Sequence, residues 1–352
     1  MRNYFVLTGF LIGLAIGVIL VGRQITVAYE TSLTAQLEAK ILAIKAAEAE
    51  ALKNFEENKT VHVALSGDIM LSRAVGKKME ITNDFTFPFL KIYGALNGND
   101  IVFGNLEGPI SSNGKNQGSK YSFRADPRVV SGLVFSGFNV LSLANNHIWD
   151  YGQSALLDTL DILTKNNILV VGVGENYDRA NEIVIKEVKG VKIGFLAYTD
   201  LYPQSFRAGK NYAGISDFNL EKIIKEISSA KASSTADLIF VSLHWGDEYV
   251  SQPNETQKNI AQKLVEAGAD VIVGHHPHVV QSFEGYKTGL IFYSLGNFIF
   301  DQNFSEETMS GFLVKLTVKD KKIVDWKVFN TRINNDFQVE PEDLSSGQKT
   351  LN

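Results

Sequence analysis

The hydrophobic pattern divides the chain into three stretches of different period. From Tyr4 to Gly22, nineteen positions pass without a charge, flanked by Arg2 and Arg23. As a helix rising ~1.5 Å per residue they span about 28 Å, close to the hydrocarbon core of a bilayer. A cleaved secretory signal is the competing reading, but its apolar stretch usually runs to only ~7–15 residues. No small-x-small cleavage site follows directly, so residues 1–23 are expected to be a retained transmembrane anchor. Residues 29–58 are rich in Ala, Glu, Lys and Leu and lack Gly and Pro, which predicts one helix. An apolar seam starts at Leu37, Ile41 and Ile44 but breaks at Glu48, which is too short for a coiled coil. Residues 24–59 therefore read as a helical stalk, lifting the globular domain ~40 Å off a membrane.

From Thr60 the period changes. Short apolar runs at 61–66, 101–104, 140–144, 168–173, 191–198, 238–243, 271–273 and 290–294 have the length of buried strands. Helical periodicity separates several of them, at 154–165, 220–231 and 255–267. That alternation predicts an α/β domain over residues 60–333. The runs 312–318 and 323–329, joined by Lys-Asp-Lys-Lys, predict an antiparallel hairpin at a sheet edge. Residues 334–352 are polar without periodicity and are expected to form a loose tail.

Composition narrows the function. At 352 residues, with 45% hydrophobic and 21% charged, the chain is ordinary globular material with ample core. A net charge of −5 and the lack of any basic run argue against a nucleic-acid partner. The absence of cysteine removes thiolate zinc sites, iron–sulfur clusters and thiol catalysis, and fits either side of a membrane.

What remains is a chemistry of imidazole, carboxylate and amide. Five of the six histidines fall in three clusters, each directly after an apolar run. They are Asn145-Asn146-His147, His244-Trp245-Gly246 and Gly274-His275-His276-Pro277-His278. Gly67-Asp68 and Asn105-Leu106-Glu107 have the same context. Parallel α/β sheets gather ligand sites at the carboxyl ends of their strands, so five such endings predict one converging site. The donor inventory is that of a divalent metal centre. In His276-Pro277-His278, side chains two apart in extended backbone share a face, whereas His275 should face away. Taken singly, Asp68 serves equally well as a helix cap, Glu107 as a solvated carboxylate and His244 as a satisfied core residue on Trp245. Their shared position argues for ligands.

The segments GDIML, FGNLEGPIS, LANNHIWDYG, LHWGDEY, GHHPHVVQ and YSLGNFIFDQ, in that order over residues 61–302, resemble the bacterial capsule-synthesis family named for CapA, the poly-γ-glutamate biosynthesis protein. That family is in turn similar to calcineurin-like metallophosphoesterases. The resemblance implies a two-sheet α/β/β/α sandwich with a dinuclear metal centre. It implies that Asp68, Asn146, His244, His276 and His278 hold metal and that His147 assists the leaving group. Two positions depart from the phosphoesterase pattern. Met70 stands where a histidine ligand is usual, and Asn105 or Glu107 stands where an aspartate bridges, so Glu107 is expected to bridge two metals. Asn105, Tyr293, Asn297, Asp301 and Gln302 are expected to line the substrate face.

The implied cofactor is a divalent ion, Mn, Fe or Zn, one or two per chain. The implied protein is a single-pass cell-membrane protein with an extracytoplasmic domain. It would act on an anionic surface polymer such as poly-γ-glutamate, or its precursor, beside membrane synthase subunits. Phosphoester hydrolysis and a non-catalytic accessory role are the alternatives.

Overall fold

The computed structural model describes residues 2–57 and 59–342, and the chain divides into two units, Met1–Asn58 and Lys59–Asn352. The first unit is one continuous helix, Arg2–Glu57. Its sequence is free of proline, and the hydroxyls of Thr26, Thr31 and Thr34 donate to the carbonyls of Gly22, Val27 and Glu30, so these polar groups are satisfied within the helix. From Ile12 to Leu52 it is long and apolar enough to cross a membrane.

The strands of the second unit run, in chain order, β1 (Val61–Ile69), β2 (Ile101–Leu106), β3 (Val140–Ser142), β4 (Leu169–Val171), β5 (Val173–Gly174), β6 (Val184–Val188), β7 (Val191–Thr199) and β8 (Gly214–Ile215). They continue as β9 (Leu238–His244), β10 (Val271–His275), β11 (Phe283–Tyr286), β12 (Gly289–Phe292), β13 (Asn297–Ile299), β14 (Ser310–Lys319), β15 (Lys322–Ile333) and β16 (Val339–Pro341). Among the described residues they build two main sheets. One has the order β16-β15-β14-β1-β2-β3-β4, with β13 pairing the end of β1, and the other has the order β11-β12-β10-β9-β7-β6. Strands β5 and β8 pair separately.

Side-chain alternation makes the layers. On β9, Leu238 and Phe240 join the core between the sheets, while Ile239, Val241 and Leu243 join a second core under the helices Leu220–Ala232 and Glu255–Ala267. On β7, Ile193 and Phe195 face inward, and Leu196 and Tyr198 face those helices. The sheets meet through aromatic rings. Phe103 of β2 stacks on Phe195 at 5.8 Å, and Phe195 meets Phe240 edge-on at 5.5 Å. Each buried ring of this kind contributes on the order of 1.5–3 kcal/mol of burial. On the outer side of the first sheet, Val75, Met79, Leu133, Leu156 and Leu163 come from helices. The result is the two-sheet α/β/β/α sandwich expected.

The hairpin of β14 and β15 lies at the edge of the first sheet: β14 pairs antiparallel with β1, and the short β16 covers only Thr331–Ile333 of β15. Two other expectations change. The run 168–173 is two strands rather than one, broken at Gly172, whose φ of +84° turns the chain. The expected tail from Asn334 begins as folded chain. Val339 pairs with Ile333, and the Gln338 amide donates to the Phe87 carbonyl at 3.0 Å. The rest of that tail, residues 343–352, lies outside the described residues.

Candidate metal centre

The carboxyl ends of β1, β2, β9 and β10 come together where the two sheets meet, and β3 delivers the loop that comes after it. Two close approaches make this convergence possible. A Cβ on Gly67 would stand 1.9 Å from the Gly296 carbonyl oxygen, and one on Gly274 would stand 1.8 Å from that of Tyr293. Only glycine lets these backbones touch.

Asp68, at the end of β1, is fully buried. Its Oδ1 accepts from Asn105 Nδ2 at 2.8 Å and its Oδ2 from the His276 backbone N–H at 3.1 Å. His275 Nδ1 lies 3.2 Å from Oδ1 and His278 Nδ1 lies 3.6 Å from Oδ2. The His275 contact falls outside hydrogen-bond geometry. Burial alone would raise the Asp68 carboxyl, but His275, His278 and Asn105 together hold it below its ordinary value.

Glu107 is the opposite case. It is 1% exposed, and neither carboxylate oxygen has a hydrogen-bond partner among the described residues. Burial, reinforced by the charges of Asp68, Glu248 and Asp150, pushes its carboxyl well above the ordinary range. Its Oε1 lies 3.8 Å from His147 Nε2 and 3.7 Å from His278 Nε2.

Asp68, Glu107 and His244 offer ligand atoms within 4.8 Å of one another, and Glu248, His276 and His278 form a second such group. Asn146 joins the first, its Oδ1 2.8 Å from His244 Nε2. Burial, then the neighbouring histidines, holds His244 well below the usual imidazole value. Burial, then His278, brings His276 down to about 4. Neutral imidazoles have a free lone pair, the form that binds a cation. Buried carboxylate oxygens without partners, beside neutral imidazoles and an amide oxygen, fit a divalent ion.

His147 stands at the rim. Its Nδ1 is 2.8 Å from Asp150 Oδ2, and its ring lies on Phe123 with centroids 4.0 Å apart. Asp150 in turn accepts from the Phe123 N–H and the Ser119 hydroxyl, each at 2.8 Å. With Nδ1 turned to a carboxylate, Nε2 faces Glu107.

All six expected metal residues and His147 thus lie in one cluster. The expected substrate residues do not form a face. Asn105 is fully buried, donating to Asp68 and accepting from Asn145 Nδ2 at 3.1 Å, with His244 Nδ1 at 3.3 Å, so it is an internal connector. Asn297 is equally buried. Its Oδ1 meets His278 Nδ1 at 3.0 Å, and its amide donates to Gln302 and the Thr308 carbonyl. Tyr293 belongs to the core under the outer helices, because strand alternation turns it away from inward-facing Phe292. Asp301 pairs with Arg73 at 3.1 Å and accepts from the Ala74 N–H at the start of a helix. Gln302 alone reaches the rim, donating to the Tyr249 hydroxyl at 3.2 Å.

The histidine run also differs locally. β10 ends at His275, which points inward with Val271 and Val273 rather than away from the site. His276 and His278 are not extended but left-handed, with φ of +95° and +58°. They still converge, with ring centroids 5.8 Å apart, because the turn rather than a pleat brings them together. Met70 is buried, its sulfur accepting from the Ser72 hydroxyl, and takes no part in the cluster. Sequence reasoning misses Glu248, Asn145 and Asp150 as functional positions, although all three lie inside the family-like motifs.

The family model described as "Bacterial capsule synthesis protein PGA_cap" matches residues 62–302. The capsule biosynthesis protein CapA of Bacillus anthracis is 38% identical over 287 residues, covering 79% of this chain and 68% of that protein. The PGA biosynthesis protein CapA of Bacillus subtilis is 37% identical over 278 residues, covering 78% and 71%. Among solved structures, the NAD nucleotidase of Haemophilus influenzae aligns with a TM-score of 0.47 at 12% identity, covering 82% of this chain and 60% of that one.

Proposed function

Because this chain belongs to the bacterial capsule synthesis family PGA_cap, we propose that it works in the synthesis, export or attachment of an anionic surface polymer of the poly-γ-glutamate type. In this reading the helix Arg2–Glu57 anchors it in the cell membrane, the folded domain is extracytoplasmic, and membrane synthase subunits are its neighbours. The domain acts as a metal-dependent hydrolase or transferase on the polymer or its precursor. The observation that carries this is the buried, unpartnered Glu107 carboxylate among Asp68, His244, His276 and His278. A protein that used this fold only as a scaffold would have no reason to keep so costly a group.

Asp68, Glu107, Asn146, His244, His276 and His278 would hold Mn, Fe or Zn, since imidazole and carboxylate donors without thiolate suit these ions. A bound divalent ion would supply Lewis-acid polarisation of a phosphoryl or carbonyl oxygen. The remaining chemistry belongs to side chains. Asp150 fixes the His147 ring through Nδ1, which leaves Nε2 to hold or deliver a proton at a leaving oxygen. Asn105 and Asn145 lock Asp68 and His244 in register, and Asn297 orients His278.

The test is metal analysis of full-length protein purified from membranes, followed by assay against phosphodiester and γ-glutamyl substrates. Bound Mn, Fe or Zn together with turnover of either class supports the reading. A metal-free protein across these ions overturns the centre. A metal-loaded protein without turnover leaves the family role and points to an accessory subunit.

A further inference from the structure

We propose that Glu248 is a ligand of an outer divalent-cation subsite, formed with His276 and His278 and distinct from the buried subsite of Asp68, Glu107 and His244. The proposal rests on the metal-centre reading and adds to it one ligand, Glu248. The ligand atoms of Glu248, His276 and His278 lie within 4.8 Å of one another. Two ligands at about 2.1 Å on opposite sides of one ion are at most ~4.2 Å apart, so a closing of well under 1 Å completes the triad. Glu248 is the exposed member and has the longest side chain, so the adjustment falls on the group freest to make it.

The backbone around Glu248 is fixed in a way a solvated loop carboxylate does not require. The Tyr249 N–H donates to the Pro277 carbonyl at 2.8 Å, tying this loop to the histidine turn itself. Tyr249 has a φ of +63°, and its hydroxyl accepts from Gln302. Gly246, with φ +81°, lies so near Gln257 that a Cβ would stand 2.8 Å from that side chain. His276 and His278 likewise hold left-handed backbone, which non-glycine residues keep only when their surroundings impose it. These constraints converge on the three ligands.

An independent observation points to a ligand here. His276 is 6% exposed, and its Nδ1 has no hydrogen-bond partner among the described residues. A buried imidazole nitrogen left so, beside a carboxylate, fits coordination. Glu107 Oε1 is 3.7 Å from His278 Nε2, so the two groups of side chains adjoin. Two cations would also neutralise the three carboxylates that approach one another here, Asp68, Glu107 and Glu248.

The experiment titrates full-length protein in detergent with Mn²⁺ by equilibrium dialysis, with electron paramagnetic resonance reading spin coupling between bound ions. Wild type should take two equivalents, with coupled spectra at saturation. Glu248→Gln should weaken one equivalent at least ~10-fold, since even the loss of an outer-shell partner costs 10–100-fold. It should also replace the coupled spectrum by that of an isolated ion. Glu255→Gln, an exposed carboxylate paired with Lys258, should leave both equivalents in place. Two unaltered equivalents in Glu248→Gln overturn this inference and leave the buried centre standing. A single equivalent in wild type, unaffected by the substitution, does the same. No Mn²⁺ bound by wild type overturns the inference together with the metal-centre reading.

Discussion

Glu107→Gln separates the cost of the central carboxylate from its use. In metal-free protein the folded chain retains a proton on Glu107 that the unfolded chain releases above an ordinary value of 4.5, because burial raises this group. The folded state then binds more protons than the unfolded one, so the contribution of Glu107 to stability falls as pH rises from that value through its folded value. A neutral buried polar group without a partner costs ~1–3 kcal/mol, and a charged one costs more. Glutamine keeps the shape and the neutral cost but cannot ionise, so the difference is the excess. Metal-free Glu107→Gln should therefore be more stable than wild type by on the order of 1–2 kcal/mol at pH 8 and equal to it near pH 4. At roughly 2–4 °C per kcal/mol, the melting point at pH 8 should rise by about 2–8 °C. Adding Mn²⁺ should reverse the order. A cation at a hundred times its Kd adds about 2.7 kcal/mol to wild type, and a variant lacking the anionic oxygen gains less. Scanning calorimetry of full-length protein in detergent, at pH 4 to 8 with chelator or Mn²⁺, measures both effects. If the metal-free variant melts below wild type at pH 8, or gains as much from Mn²⁺, the reasoning about Glu107 is wrong.

Three further outcomes are expected. His147→Ala should lower turnover by ~10²–10⁴-fold with metal content nearly unchanged, whereas His244→Ala should lose both. Full polymer production in cells carrying either substitution would reject catalysis at this site. The mature protein should keep its N-terminus and fractionate with membranes, and recovery of a soluble form starting beyond Arg23 would show a cleaved signal instead. Gly67→Ala should destabilise by at least ~1–3 kcal/mol and weaken metal binding, because its Cβ meets the Gly296 carbonyl oxygen at 1.9 Å and the end of β1 must shift. A denaturant midpoint equal to wild type would refute that account of the strand contact.

Local signals in the sequence determined a good deal. The uncharged run before Arg23, the helical stretch after it and the apolar runs from Val61 are patterns of period and length. Such patterns depend on neighbours a few residues away, and the sandwich layers arise from them. The polar residues ending those runs, Asp68, Glu107, Asn146, His244, His276 and His278, were likewise legible. In parallel strands the carboxyl ends share one side of a sheet whatever the order of the strands.

Tertiary structure decided everything that depends on which strand lies beside which. The edge hairpin of β14 and β15 docks on β1 in particular, where β14 satisfies the backbone groups of β1 on the side opposite β2. Asn105 and Asn297 read as substrate residues from their motifs, yet both are buried connectors, with the Asn105 amide on Asp68 and the Asn297 Oδ1 on His278. His275 turns inward because β10 persists two residues further than its apolar run, which puts His275 in step with Val271 and Val273. Glu248 joins His276 and His278 only because Tyr249 hydrogen-bonds to Pro277 across a gap of 28 positions. A hydrogen bond of that span leaves no periodicity in the sequence, and the residues it brings together meet only when the chain has folded.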